Sequence, residues 1–222
     1  MPSEEATSPA ATATDGRVPG SRGRATRQRL LGCTAQMLES TPWRSIKIID
    51  IARQAGTSPA TFYQYFENVE KAILVLAEEL MEGAERVATI AGGDWSEQSS
   101  WDTARAVVAA FAEFWESNRA VFRVVDLATE EGDRRFQGPR VRALNAVTMA
   151  LARSIESGGG TRATASAEPI ATAATLVSML AHVAAHRYGF EFWGIRTASM
   201  ADSQARILHW SVTGRPAPEG AP

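Results

Sequence analysis

Three groups of residues in this 222-residue chain have the types and spacing to do chemistry. The first runs Thr57-Ser58-Pro59-Ala60-Thr61-Phe62-Tyr63-Gln64-Tyr65, where hydroxyl, amide and small side chains alternate with rings and no carboxylate intervenes. Such groups suit a polyanion. Gln64 can pair bidentately with adenine, Ala60 or Thr61 can touch a thymine methyl, and tyrosine hydroxyls can donate to phosphate. The second group is His182 and His186, at the i, i+4 spacing that offers two imidazoles to one metal. No HExxH glutamate separates them, and further ligands would have to come from Glu191, Asp202 or His209. The third is Cys33, whose solitude excludes an intramolecular disulfide and a multi-cysteine zinc site. Its apolar helical surroundings fit a buried, inert thiol. No phosphate loop, nucleophile elbow or carboxylate pair stands out, and Gly158-Gly159-Gly160 is too short to cradle a phosphate. The expectation is a non-enzyme with no cofactor and no metal.

The polar stretch needs a rigid element to present it. Ile48, Ile51, Ala52 and Ala55 fall at i, i+3, i+4 and i+7, which predicts a short helix over about 47–54 with one apolar face. Gly56 ends it by permitting a left-handed residue. Ser58 then suits an N-cap and Pro59 the first helical position, where no N–H is needed. The helix that follows, about 59–65, points Phe62 and Phe66 one way at i and i+4 and leaves the polar groups on the other side. Two short helices across a tight turn form a helix-turn-helix, whose second helix enters the DNA major groove; an ordinary αα-hairpin has the same spacing.

The run AxQAGTSPATFYQYF, preceded by IIDIA and followed by a long apolar helix, resembles the TetR family of bacterial transcriptional regulators, whose pattern is IAxxAGvSxxTxYxxFxxK. The match is dense over about Arg27 to Leu76 and extends beyond it only in length and helix layout. The resemblance implies an all-α homodimer, with an N-terminal three-helix DNA-binding head and a larger C-terminal ligand-binding and dimerising body. It also implies a connecting helix that carries motion between pocket and DNA. Two positions depart from the pattern: Lys47 stands where a capping Ser or Thr is usual, and Val69 where a Lys usually opens the next helix. Ser45 is a substitute cap, and Lys47 can itself reach a phosphate.

Around the motif, the spacing predicts a first helix from Thr26 or Arg27 to Ser40, with Leu31, Ala35 and Leu38 inward and Trp43 packed across the head. Arg22, Arg24, Arg27 and Arg29 read as a basic arm leading into it. Further helices are expected over about 68–90, 100–117, 118–131, 141–156, 169–184 and 199–212. Trp101, Ala104, Val108, Phe111 and Trp115 step by three and four along one of them, drawing an aromatic stripe. With Phe114 and Phe122 these aromatics suit an apolar pocket between helices, to which Asn145, Met149 and Met179 would add polar or adaptable contacts. Core packing is the alternative for each. The penultimate long helix is apolar on several sides, and the last, with Ala201, Ala205, Leu208 and Val212, would complete a four-helix dimer interface as in the family.

The expected domains are a disordered tail over 1–21, a helix-turn-helix domain over 22–67, a ligand-binding and dimerisation domain over 68–213, and a disordered tail over 214–222. Residues 157–166 read as a flexible linker. With 45% hydrophobic and 22% charged residues the composition is that of a soluble globular protein. No apolar run approaches the roughly 20 residues of a membrane span, and no hydrophobic leader is evident, which predicts a cytoplasmic chain. Net charge is −2, yet residues 17–66 hold eight cationic side chains against two carboxylates. That asymmetry is the footprint of a DNA-binding head. The DNA-facing set is then Arg27, Lys47, Thr57, Ser58, Ala60, Thr61, Tyr63, Gln64 and Tyr65. The expected partners are a palindromic double-stranded operator, a second copy of the chain and a small hydrophobic or aromatic effector of unknown identity; no membrane is involved. A helical carrier or enzyme with an incidental basic head is the alternative.

Overall fold

The computed structural model describes residues 20–157 and 168–218, and every regular element among them is a helix. They are α1 (Ser21–Ser40), a one-turn 3-10 helix (Trp43–Ser45), α2 (Ile48–Gln54), α3 (Pro59–Tyr65), α4 (Val69–Ala91), α5 (Ser100–Ser117), α6 (Arg119–Glu130), α7 (Arg134–Ser157), α8 (Pro169–Ala185), α9 (Arg187–Phe192) and α10 (Thr197–Thr213). Of the residues expected to form a linker or a tail, 158–166, 1–19 and 219–222 lie outside this description, whereas Ser157 ends α7 and Ser21 starts α1.

These helices form two compact units. One comprises the described residues up to Glu79 together with Ala120–Pro139. Here α1, α2 and α3 pack on one another around the fully buried Leu30, Leu38, Ile51 and Phe62. α1 starts at Ser21, earlier than its apolar periodicity, because a helix anchored at one end propagates through non-periodic residues at little cost. Arg22 and Arg24 therefore sit on its first turns and not in an extended arm. Trp43 packs, tilted, on Phe136 of α7, with ring centroids 6.5 Å apart, so it seals the α7 end of this unit and not the three-helix core. α7 begins seven residues before the expected Val141, because the Asp133 carboxylate accepts the Arg135 N–H at 3.1 Å and caps it. Pro139 lies within the helix.

The second unit comprises Leu80–Arg119 and the described residues from Arg140 onward. α5 packs against α8 and α10. α4 ends where the Ala91 carbonyl accepts from both Trp95 Nε1 and Ser154 Oγ, each at 2.9 Å. Gly214 closes α10 at φ 67°, a left-handed C-cap that glycine adopts without strain. The segment beyond it departs from the expected disorder: Arg215 donates to the Trp95 carbonyl at 3.1 Å, while its own carbonyl lies 3.1 Å from His209 Nδ1.

Candidate functional site

The helix-turn-helix is built by backbone chemistry. Gly56 adopts φ +65°, Thr57 N–H reaches back to the Ala52 carbonyl at 2.9 Å, and Gly56 N–H to Arg53 at 3.1 Å. This is the glycine-terminated bonding pattern that satisfies the last carbonyls of α2. Ser58 then caps α3, its Oγ accepting the Thr61 N–H at 3.2 Å, with Pro59 in the first turn. Phe62 and Phe66 are buried and face each other at 5.4 Å. The opposite face is left to solvent: Ser58, Pro59, Ala60, Tyr63 and Gln64 are exposed, with Tyr63 at 53%, while Thr57, Thr61 and Tyr65 are half-buried at its border. Most of the DNA-facing set thus shares one edge.

Arg27 does not belong to that edge. It is 8% exposed, its guanidinium lies 5.4 Å from the Phe66 ring centroid, and Glu79 stands 3.9 Å away. Burial lowers its pKa from the ordinary arginine value, against the opposing pull of Glu79 and Glu78. It joins α1 to α3 and α4 and is withdrawn from the exposed edge. Two further cations are engaged, Arg44 with Glu131 and Arg53 with Asp50 at 3.2 Å. The basic surplus read along the sequence is therefore partly neutralised in three dimensions. Lys47 is exposed at the N-cap of α2, which carries no side-chain cap, so Ser45 does not replace the family's capping residue. Asn68 caps α4, its Oδ1 accepting the Lys71 N–H at 2.9 Å.

In the second unit a partly open cavity of about 410 Å³ lies against α5, bordered by α8, α9 and α10. Val108, Phe111, Leu180, Val183, Ile195 and Met200 supply apolar lining, and Arg105, Glu116, Arg187, Glu191, Asp202 and Gln204 polar lining. Of the expected pocket residues only Val108 and Phe111 line it. Trp101 packs edge-on against His209 at 5.8 Å and carries Arg206 over its face at 5.5 Å. Trp115 stacks on Phe111 at 6.1 Å, and Phe114 fills the space beside Gly83 on α4. Phe122 is fully buried in the other unit. Asn145 is exposed, Met149 is half-buried away from the lining, and Met179 lines a separate shallow groove between α8 and α10. Apart from Val108 and Phe111 the stripe is core; the lining from α9 had no periodic signal to mark it, and Ala201 and Ala205 of α10 carry a periodicity that reads as a dimer seam.

His182 and His186 stack with ring centroids 4.3 Å apart, and His186 Nδ1 lies 3.1 Å from the His182 carbonyl. Among the described residues no group of three or more possible ligands surrounds them. A serine–histidine contact escaped sequence reasoning: Ser100 Oγ lies 3.1 Å from His209 Nε2. Ser100 is 1% exposed, so no substrate can reach it.

An all-α chain with a capped helix-turn-helix and an apolar cavity in a helical body has the make-up of a ligand-responsive transcriptional regulator. The family model described as tetracyclin repressor-like, C-terminal domain, matches residues 87–219. The chain belongs to the TetR family. It is 31% identical over 97 residues to the HTH-type transcriptional regulator EthR of Mycobacterium tuberculosis, a match over 42% of this chain and 44% of that one. The match thus spans less than half the length of that relative. Among solved structures, the fatty acid degradation regulator FadR of Bacillus halodurans superposes with a TM-score of 0.64 at 13% identity, covering 86% of this chain and 96% of its own. FadR of Bacillus subtilis, solved with stearoyl-CoA, gives 0.60 at 14% identity, covering 85% and 98%. At such identities these two likenesses concern the fold alone. No helix among the described residues is long and apolar enough to cross a membrane.

Proposed function

We propose that this protein is a non-enzymatic, ligand-released DNA-binding repressor that reads a palindromic operator as a homodimer. The observation that carries this reading is the exposed edge of α3. Ser58, Ala60, Tyr63 and Gln64 stand there without a carboxylate, on a helix anchored from behind by Phe62 and Phe66. Thr57, Thr61 and Tyr65 border it, and Lys47 adds a cation. In the major groove, Gln64 and the small residues contact bases while the tyrosines and Lys47 contact phosphates.

The effector occupies the cavity against α5. FadR of Bacillus subtilis holds stearoyl-CoA, which supports an apolar effector here. An effector that favours the DNA-incompetent form about 100-fold shifts the equilibrium by roughly 2.7 kcal/mol, enough to empty an operator held near its dissociation constant. The dimer forms through the outer faces of α8 and α10.

Fluorescence anisotropy against the DNA upstream of the protein's own coding region tests the reading. Binding should weaken steeply between about 50 and 200 mM salt and fall at least about tenfold with Tyr63→Ala. Weak binding indifferent to salt, sequence and mutation would refute it and favour a carrier.

A further inference from the structure

α9 has two sides. Phe190, Glu191 and, just beyond the helix, Ile195 line the cavity, and Arg187 ties the helix to α5 through Glu116 at 3.7 Å. The other side is bare. Tyr188 and Phe192, at i and i+4, are 65% and 87% exposed, and Trp193, which caps the helix, is 71% exposed. A large aromatic side chain carries about 150–250 Å² of surface, so the three leave roughly 450 Å² of mostly apolar area in water. An exposed patch of that size on a soluble chain commonly has a function. The patch continues one face of α8. Ala174, Ser178, His182 and His186 are exposed there at four-residue steps, the two imidazoles stack at 4.3 Å, and Tyr188 lies 6.4 Å from His186.

Toward the opposite end of α8 the chain carries a complementary surface. Ala171, Thr175, Leu176 and Met179 of α8, with Ile207 of α10, line an open groove of about 390 Å³. An apolar projection and an apolar recess at opposite ends of one helix suit a two-fold dimer, because antiparallel packing of α8 on its copy lays each α9 over the other copy's groove. From Thr175 to His186 the α8 axis runs about 17 Å at 1.5 Å per residue, which puts the two-fold axis between Ser178 and His182, both on the exposed face. The areas agree. A standard interface takes about 800 Å² from each partner, whereas α8 and α10 offer only Ile170, Ile207 and Trp210 as large exposed apolar side chains, each about half exposed. The rings of α9 supply much of the remainder. We infer that α9 is a dimer arm, whose Phe192 and Trp193 seat in the groove between α8 and α10 of a second copy. The inference rests on the chain being a homodimer through α8 and α10, and adds a third element to that contact. A lipid surface or an unrelated protein would cover the rings and leave the groove empty, whereas a second copy fills both.

Sedimentation equilibrium of the full chain measures the dimer constant. Phe192→Ser with Trp193→Ser should weaken the dimer at least about tenfold, the loss that truncated aromatic anchors commonly cause at interfaces. Ala171→Glu with Thr175→Glu, which places charge in the groove, should weaken it comparably. All four substitutions together should do little more harm than either pair, because both pairs break one contact. Helical circular dichroism should stay unchanged throughout, since all four side chains are exposed. Losses that multiply across the two pairs, or a dimer indifferent to the α9 pair, would overturn the arm and leave the homodimer standing. A chain that is monomeric before any substitution would refute both. Retention on phosphatidylglycerol vesicles that the α9 pair abolishes, with the dimer constant unchanged, would assign the rings to a membrane and equally overturn the inference.

Discussion

His209 holds its ring in one tautomer. Its Nδ1 faces the Arg215 carbonyl at 3.1 Å, which can only accept, so Nδ1 carries the proton and Nε2 accepts from the Ser100 hydroxyl. Burial, aided by the charge of Arg215, pushes its pKa below the ordinary histidine value, although the Arg215 carbonyl pulls the other way. In the unfolded chain the imidazole titrates near 6.5. The contribution of the neutral ring to stability is therefore fully present above that pH and is lost as pH falls below it toward the folded value, because the unfolded chain takes up the proton first. The melting temperature should drop between pH 7.5 and 5.5, and His209→Gln, which cannot titrate, should flatten that drop. An unchanged slope in the variant would assign the pH response to other groups.

Gly83 and Phe114 decide how closely α4 and α5 approach. A Cβ added at Gly83 would stand 2.6 Å from Phe114 Cδ2 and 2.7 Å from Cε2, and the buried ring has little room to retreat. Alanine gains about 1 kcal/mol of helix propensity over glycine, while overpacking a core costs typically 1–3 kcal/mol. The clash wins. Gly83→Ala should lower stability by about 1 kcal/mol in a denaturant titration, and Gly83→Ala with Phe114→Leu should recover most of it. At the other functional element, Ser58→Ala removes the α3 cap at a cost of about 0.5–2 kcal/mol.

For the molecule as a whole, α8 and α10 leave an apolar surface uncovered. On α8 the buried side is Ala173, Leu176, Val177, Leu180 and Ala181, while Ile170, Ala174 and Ser178 are exposed. On α10 the stripe expected to pair with a second copy, Ala205, Leu208 and Val212, is buried within the chain, and Ala201 is half-buried beside the cavity. Ile207 and Trp210 are the large exposed apolar residues of α10. A dimer through these helices therefore buries Ile170, Ala174, Ile207 and Trp210. Ala174→Glu with Ile207→Glu should shift the sedimenting species from twice the 23.9 kDa chain mass to the chain mass itself. A dimer that survives both charges would place the interface elsewhere.

Local chemistry settles before tertiary structure does. Gly56, Ser58 and Pro59 specify a stop, a cap and a start through their own backbone preferences, and Phe62 with Phe66 specifies the buried side. The helix-turn-helix and its polar edge were legible from those residues alone. A side chain's neighbour across the fold is another matter. Arg27 reads as a phosphate ligand in a basic run, and only the arrival of Phe66 and Glu79 beside it makes it a packing residue. The apolar stripe of α5 promises either a core or a pocket, because a filled interface and an empty one demand the same spacing. Tertiary structure alone decided that Trp101, Phe114 and Trp115 are core, and that the cavity opens beside Val108 and Phe111, where α8, α9 and α10 leave volume unfilled.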